Sequence, residues 1–245
     1  MRINVFAKTE DMGKDAAAFI AGKLQGAIAA QGEARLLLST GASQLDMFAY
    51  LVQLPVDWKK VTMFHLDEYV GLPESHIASF RKYLKERFVD KVGGVKEAIF
   101  VNGEGNIEEN IAYITRRLRE KPIDVGVIGI GENGHIAFND PPADFNTQES
   151  YIVVNLDDRC KAQQVGEGWF ATTDDVPKQA ISMSVPQIMQ SKCIVSIVPH
   201  TVKAEAIENT FRQPCTNQVP ATILKTHPDW NLWLDGDSAA RIMTL

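Results

Sequence analysis

The 245-residue chain has only three cysteines, Cys160, Cys193 and Cys215, and no C-x-x-C pair among them. That excludes a disulfide-stapled extracellular scaffold and fits free thiols in a reducing cytoplasm. The five histidines are scattered too, so the spacing of a zinc site is missing and no metal is expected. No apolar run approaches the ~20 residues of a membrane span. Met1–Lys8 lacks the apolar core and small-residue cleavage site of a secretory signal. A cytoplasmic protein with no membrane contact is therefore expected. Positive charge is also short: 25 Lys and Arg against 31 Asp and Glu leave a formal charge of −6. Non-specific nucleic-acid binding needs a basic face, so no nucleic-acid partner is expected. An anionic metabolite stays open, because a few local donors can hold a phosphate on an acidic protein. The chain shows no internal repeat, no low-complexity tract and no dividing linker. A single α/β domain can reach about 250 residues, so one domain over residues 1–245 is expected.

What is present is an alternation of short apolar runs with longer amphipathic stretches. Ala34–Ser39, Val61–Leu66, Asp124–Ile130 and Cys193–Val198 have strand length and many branched side chains. Asp11–Ala30, Ser79–Val89 and Ile107–Glu120 read as helices. In the last, Ile107, Ile111, Ile114 and Leu118 recur at spacings of four, three and four, one helical face. Strands separated by helices predict an α/β fold, a Rossmann-like, mostly parallel sheet with helices on both faces. Asn139–Ser150 and Lys161–Asp175 read as the least regular stretches, candidate loops or lids. Ligands of open α/β sheets sit at the carboxyl ends of strands, so the residues after each run carry the interest.

Gly129-Ile130-Gly131-Glu132-Asn133-Gly134 satisfies G-x-G-x-x-G after a strand, with Asp157 at a ribose-contact distance. A dinucleotide fingerprint must open a helix whose N-terminus receives the pyrophosphate. Here the chain runs within seven residues into Pro141-Pro142, which leaves no room for one. The glycines fit better as permissive backbone that lets His135 face a ligand. Asn133, His135 and Asp140 then share one loop, an imidazole beside a carboxylate, as general acid–base chemistry uses. A histidine satisfied within a loop network is the plain alternative. Asp67-Glu68-Tyr69 ends another run. Adjacent residues on an extended chain point to opposite sides, so one carboxylate can face a site while the other anchors the loop; a solvated turn is the alternative. Thr40-Gly41-Ala42-Ser43 lies between a strand and a helix expected near Gln44, where hydroxyls and free N–H groups suit a phosphate. Lys203, just after Cys193–Val198, is placed to give the same anion a point charge. An ordinary helix cap and a surface lysine remain the alternatives for these two.

Leu38-Ser39-Thr40-Gly41, Leu66 to Pro73, Gly129 to Pro141 and Asp175 to Ile181 together resemble the glucosamine-6-phosphate deaminase family, from Leu37 to the end of the chain. The resemblance implies a Rossmann-like fold, no cofactor, and conversion of glucosamine 6-phosphate and water to fructose 6-phosphate and ammonia. It implies Asp67 as the base moving a proton between C2 and C1, and His135 as the group assisting ring opening. It also implies Asp140 orienting the imidazole, Asn133 completing the loop, and Thr40, Gly41, Ala42, Ser43 and Lys203 holding the phosphate. The implied partner is a small amino sugar phosphate, with a homo-oligomer left open.

Three departures stand out. Well-known members have Glu at Asp140, some have Asp at Asn133, and they carry a phosphate-pairing Arg in a lid that here reads Ala162 to Phe170. Arg159 and Lys161 are the candidate replacements. Galactosamine 6-phosphate is the closest alternative substrate. The sister 6-phosphogluconolactonases typically continue the histidine loop with Ser-Leu-Phe, where this chain has Phe138-Asn139-Asp140, and have Asp-Glu-Arg rather than Asp-Glu-Tyr. Non-catalytic sugar-phosphate sensors carry a helix-turn-helix in front, whereas this chain begins with a strand-like run.

Overall fold

The computed structural model describes residues 1–243. Its strands are β1 (Arg2–Phe6), β2 (Ala34–Leu38), β3 (Val61–His65), β4 (Asp67–Tyr69), β5 (Glu97–Ile99), β6 (Val125–Val127), β7 (Tyr151–Asn155), β8 (Gln179–Met183), β9 (Cys193–Val198) and β10 (Trp230–Asp235). Its helices are α1 (Thr9–Gln31), α2 (Leu45–Leu51), α3 (Phe80–Leu84), α4 (Ile107–Arg119), α5 (Asp158–Gly166), α6 (Val185–Ile188), α7 (Ala204–Arg212) and α8 (Gly236–Ala239).

Seven strands form one sheet in the order β1-β10-β9-β6-β2-β3-β5, with every pair parallel. The predicted parallel α/β fold is thus the observed one. The period-2 geometry of a strand divides each buried run between two cores. Leu36, Leu38, Met63, Val195 and Trp233 pack on one face with Met12, Ile20 and Leu24 of α1. Leu37, Phe64, Ile194, Leu232 and Leu234 pack on the other with Ile114 and Leu118 of α4 and Ile207 of α7. The apolar stripe read on α4 faces this second core, and Asn106 caps the helix by accepting the Glu109 N–H at 3.2 Å. Ser79–Val89 is one helical stretch that widens from α3 into a π-helical turn at Lys85–Val89.

The chain runs from β2 outward to β3 and β5, then returns to lay β6 on the other side of β2 and continues to β9 and β10. The winding therefore reverses between β2 and β6. Loops leaving these two strands diverge and open a crevice at their carboxyl ends.

Two expectations need correction. A second, antiparallel sheet, β4-β8-β7, was not foreseen. β4 is only Asp67-Glu68-Tyr69, and Asp and Glu have poor strand propensity; pairing to β8 makes it a strand. Lys161–Asp175 is also less irregular than it reads, since α5 covers Asp158–Gly166. This helix has no continuous apolar face and buries only Cys160 and Gln164. Its start is fixed by Asp157, whose carboxylate accepts the Cys160 N–H at 2.6 Å. Asp157 is a helix cap, and Asn139–Ser150 does lack helix and strand.

Candidate active site

A cleft lies over the switch point, lined from the ends of β2, β3, β6 and β9 and covered by the α5 segment. From β2 come Ser39 through Gln44, from β3 Leu66 and Asp67, from β6 Gly129, Ile130, Gly131 and His135, and after β9 Lys203.

Leu66 alone separates β3 from β4, and it is bonded into both sheets. Its N–H donates to Leu38 O at 3.1 Å, and its carbonyl accepts the Met183 N–H at 2.7 Å. From this fixed point the chain alternates. Asp67 faces the cleft, while Glu68 turns into the protein and accepts from the N–H groups of Tyr69, Phe80 and Arg81, from Ser79 Oγ and from Arg81 Nε at 2.9–3.2 Å. The division of labour between the two carboxylates is the predicted one. Asp67 is 8% exposed. Burial and, secondarily, the Glu68 charge push its carboxyl up to about 8.

Gly129–Asp140 folds into a closed loop, with the Gly131 N–H donating to His135 O at 2.9 Å. No helix follows, consistent with the Pro141-Pro142 stop. Gly131 is required here, since a Cβ on it would overlap the His135 ring. Asn133 Oδ1 accepts the His135 backbone N–H at 3.0 Å and lies 2.7 Å from Nδ1. Asp140 Oδ1 lies 3.0 Å from the same Nδ1 and accepts from Asn133 Nδ2 at 2.9 Å. Both oxygens can only accept, so the proton sits on Nδ1, and Nε2 is left with a lone pair. Burial works to raise the Asp140 carboxyl, but the His135 and Asn133 bonds outweigh it and hold it below the usual range. Asn133 and Asp140 thus hold His135 from behind and do not line the cleft.

At the other end, Thr40, Gly41, Ala42 and Ser43 turn at Gly41 (φ 101°, a left-handed conformation that favours glycine) into a 3-10 turn, Ala42–Gln44, that leads into α2. Tyr83 Oη donates to Gly41 O at 2.9 Å and pins the loop. Lys203 ends a single turn after β9 and is buried. Burial lowers its pKa, against the pull of the Glu167 and Glu132 charges.

Every residue assigned to catalysis or to the Thr40–Ser43/Lys203 phosphate end is therefore at the cleft or directly behind it. Arg159 and Lys161 are not: neither lines the cleft, and Lys161 Nζ instead lies 3.8 Å from Asp158 Oδ1. Several cleft residues escaped the sequence reading, Ser39, Gln44 and Glu167 among them. Ser39 Oγ and Gln44 Oε1 are buried in the cleft wall without a protein partner, which is costly unless a polar ligand satisfies them. Glu167 enters from the lid. A hydroxyl directly after the apolar run Leu36-Leu37-Leu38 was the available signal for Ser39; Glu167 gave none. The lid is docked by Tyr69, whose Oη donates to Gln164 Oε1 at 2.7 Å and whose ring meets Phe170 edge-on at 5.4 Å. Among the described residues, no three His, Cys, Asp or Glu side chains are grouped to hold a metal, and no helix is long and apolar enough to cross a membrane.

A doubly wound sheet with a carboxylate and an oriented imidazole over its switch point, facing a turn and a buried lysine, defines an α/β enzyme acting on a small anionic molecule. The family model described as glucosamine-6-phosphate isomerases/6-phosphogluconolactonase matches residues 7–233, and the chain belongs to that family. It is 39% identical over 214 residues to a glucosamine-6-phosphate deaminase of Staphylococcus epidermidis (strain ATCC 12228 / FDA PCI 1200), covering 84% of this chain and 86% of that one. A glucosamine-6-phosphate deaminase of Listeria monocytogenes serotype 4a (strain HCC23) is 36% identical over 211 residues, covering 85% and 88%. A solved monomeric glucosamine-6-phosphate deaminase superposes with a TM-score of 0.90 at 26% identity, over 98% of this chain and 100% of that one. The 6-phosphogluconolactonase of Trypanosoma brucei shares the fold (TM-score 0.80, covering 98% of each chain) at 14% identity.

Proposed function

We propose that the chain converts glucosamine 6-phosphate and water to fructose 6-phosphate and ammonia, as a single domain. The observation that carries this reading is the joint placement of Asp67, His135 and the Thr40–Ser43/Lys203 end in one cleft, in a chain 39% identical to a glucosamine-6-phosphate deaminase.

The turn and Lys203 hold the phosphate and so fix the sugar along the cleft, with its reacting carbons toward Asp67 and His135. His135, with Nδ1–H committed to Asn133 and Asp140, uses Nε2 to take the proton of the C1 hydroxyl. The imidazolium that results is stabilised by Asp140 and can return the proton to the ring oxygen as the ring opens. Asp67 takes the proton from C2 of the open chain while the C2 ammonium gives one of its protons to the C1 oxygen, giving an enolamine between C1 and C2. Returning that proton to C1 leaves a C2 iminium, which water hydrolyses to the ketone and ammonia. A carboxyl pushed up to about 8 is suited to both directions of this transfer. Ser39 Oγ and Gln44 Oε1 supply hydrogen-bonding capacity for substrate hydroxyls in the wall of the cleft.

The test is ammonia release from a panel of glucosamine and galactosamine, each with and without the 6-phosphate. The highest kcat/KM is expected on glucosamine 6-phosphate. Preference for the galactosamine ester, or no ammonia from any of the four, would overturn the assignment.

A further inference from the structure

The end of the cleft assigned to the phosphate also contains a carboxylate. Glu167 lines it together with Lys203 and the Thr40–Ser43 turn. Its Oε2 lies 3.8 Å from the point a Cβ on Gly41 would occupy. Neighbours on the lid hold it there: Gln163 Nε2 donates to Oε1 at 2.8 Å and Trp169 Nε1 to Oε2 at 3.1 Å. The Trp169 ring in turn packs edge-on against Tyr83 at 6.1 Å, and Tyr83 pins Gly41. The position is thus built from both sides of the cleft. A buried ammonium such as Lys203 needs a nearby negative charge, and a bound phosphate would draw on the same ammonium.

We propose that Glu167 is a specificity-determining residue of the anion end: it shares that end with Lys203, offsets the ammonium charge at longer range and opposes a phosphate dianion, making the preference for phosphorylated over unphosphorylated amino sugars shallower than the turn and Lys203 alone would give. The proposal rests on the amino-sugar-phosphate reading of the cleft. It follows from charge, since a carboxylate and a phosphate held beside the same turn repel, and the repulsion is strongest where solvent is thinned. It also gives the lid, which has no cation lining the cleft, a definite electrostatic role.

The test compares wild type, Glu167→Gln and Glu167→Asp. Inorganic phosphate binding is measured by calorimetry, and kcat/KM is measured on glucosamine 6-phosphate and on glucosamine. Glu167→Gln removes the charge and keeps an acceptor for one of the two lid donors. It is expected to tighten phosphate binding by about 5- to 50-fold, the range set by one nearby charge in a half-screened site. The ratio of kcat/KM for the two sugars should rise by a similar factor, through KM. Glu167→Asp keeps the charge and should stay near wild type in phosphate affinity, which separates charge from lid damage. Unchanged or weakened phosphate binding in Glu167→Gln would overturn the proposal. Tightened phosphate binding with ammonia released from neither sugar would uphold the role of Glu167 and instead sink the substrate assignment.

Discussion

His135 Nδ1 stands 3.0 Å from Asp140 Oδ1, and this contact decides which imidazole nitrogen serves the cleft. With Nδ1–H given to Asp140 and Asn133, Nε2 is left as the basic atom. Asp140→Asn offers an amide that can present N–H to Nδ1 and invert the tautomer, and it also removes the charge that stabilises the imidazolium. The kcat of Asp140→Asn should fall by at least about 100-fold with little change in KM. Steady-state kinetics checks this, and a near-native kcat would take Asp140 out of the mechanism.

Asp67 must be ionised to accept a proton, and its carboxyl is pushed up to about 8. In the free enzyme, kcat/KM should therefore rise with pH along a limb centred near 8. Asp67→Asn should lose at least about 100-fold in kcat. The same substitution should affect stability with the opposite sign. A carboxyl whose pKa is raised on folding, from about 3.9, favours the folded state below the unfolded value and loses that contribution as pH rises through 8. Asp67→Asn should thus be more stable than wild type by about 1–3 kcal/mol at pH 8–9 and nearly equal to it at pH 4. Denaturant titrations at the two pH values measure the difference, and equal stability at pH 9 would mean that Asp67 is not strained by ionisation.

Lys203→Ala removes the buried ammonium from the anion end. The loss of one charge-assisted contact, about 1.5–3 kcal/mol, corresponds to a fall of roughly 10- to 150-fold in kcat/KM for glucosamine 6-phosphate. Turnover of unphosphorylated glucosamine should barely change, because it brings no anion to hold. Kinetics on both sugars isolates the coupling; an equal loss on the two would assign Lys203 to the fold or the chemistry instead.

Gly131→Ala tests the packing behind the imidazole. The added methyl would overlap the His135 ring, so the ring must leave its contact with Asp140. Activity should drop by at least about 100-fold, as expected for a displaced acid–base group. The melting temperature should move far less than for a core truncation. Normal activity would show that the loop shifts freely and that His135 is not held as rigidly as its contacts imply.

The features legible in the sequence were those set by short-range geometry. The opposed directions of Asp67 and Glu68 follow from an extended backbone, and the failure of Gly129–Gly134 to open a helix follows from Pro141-Pro142. The two-faced sheet could be read from branched runs such as Leu36-Leu37-Leu38 without a polar side. The features that could not be read depend on partners distant in the chain. β4 is a strand because Ser182 and Ala180 lie opposite Asp67 and Tyr69, not because Asp-Glu-Tyr favours one. α5 has no continuous apolar face, and its docking depends on Gln164 meeting Tyr69, 95 residues away. Glu167 gains its place only when Gln163, Trp169 and the Gly41 turn converge. For the same reason Arg159 and Lys161, plausible by charge alone, turned out to lie elsewhere.

Leu66, the single residue between two sheets, makes the active centre intolerant of length change. One residue inserted between His65 and Asp67 would leave the large sheet paired as before but turn everything beyond it over. Glu68's place among its five donors would pass to Asp67 or its neighbour, and the carboxylate presented to the cleft would carry a longer arm from a different backbone position. At this seam the spacing of the chain, as much as the residue types, decides which carboxylate meets the substrate.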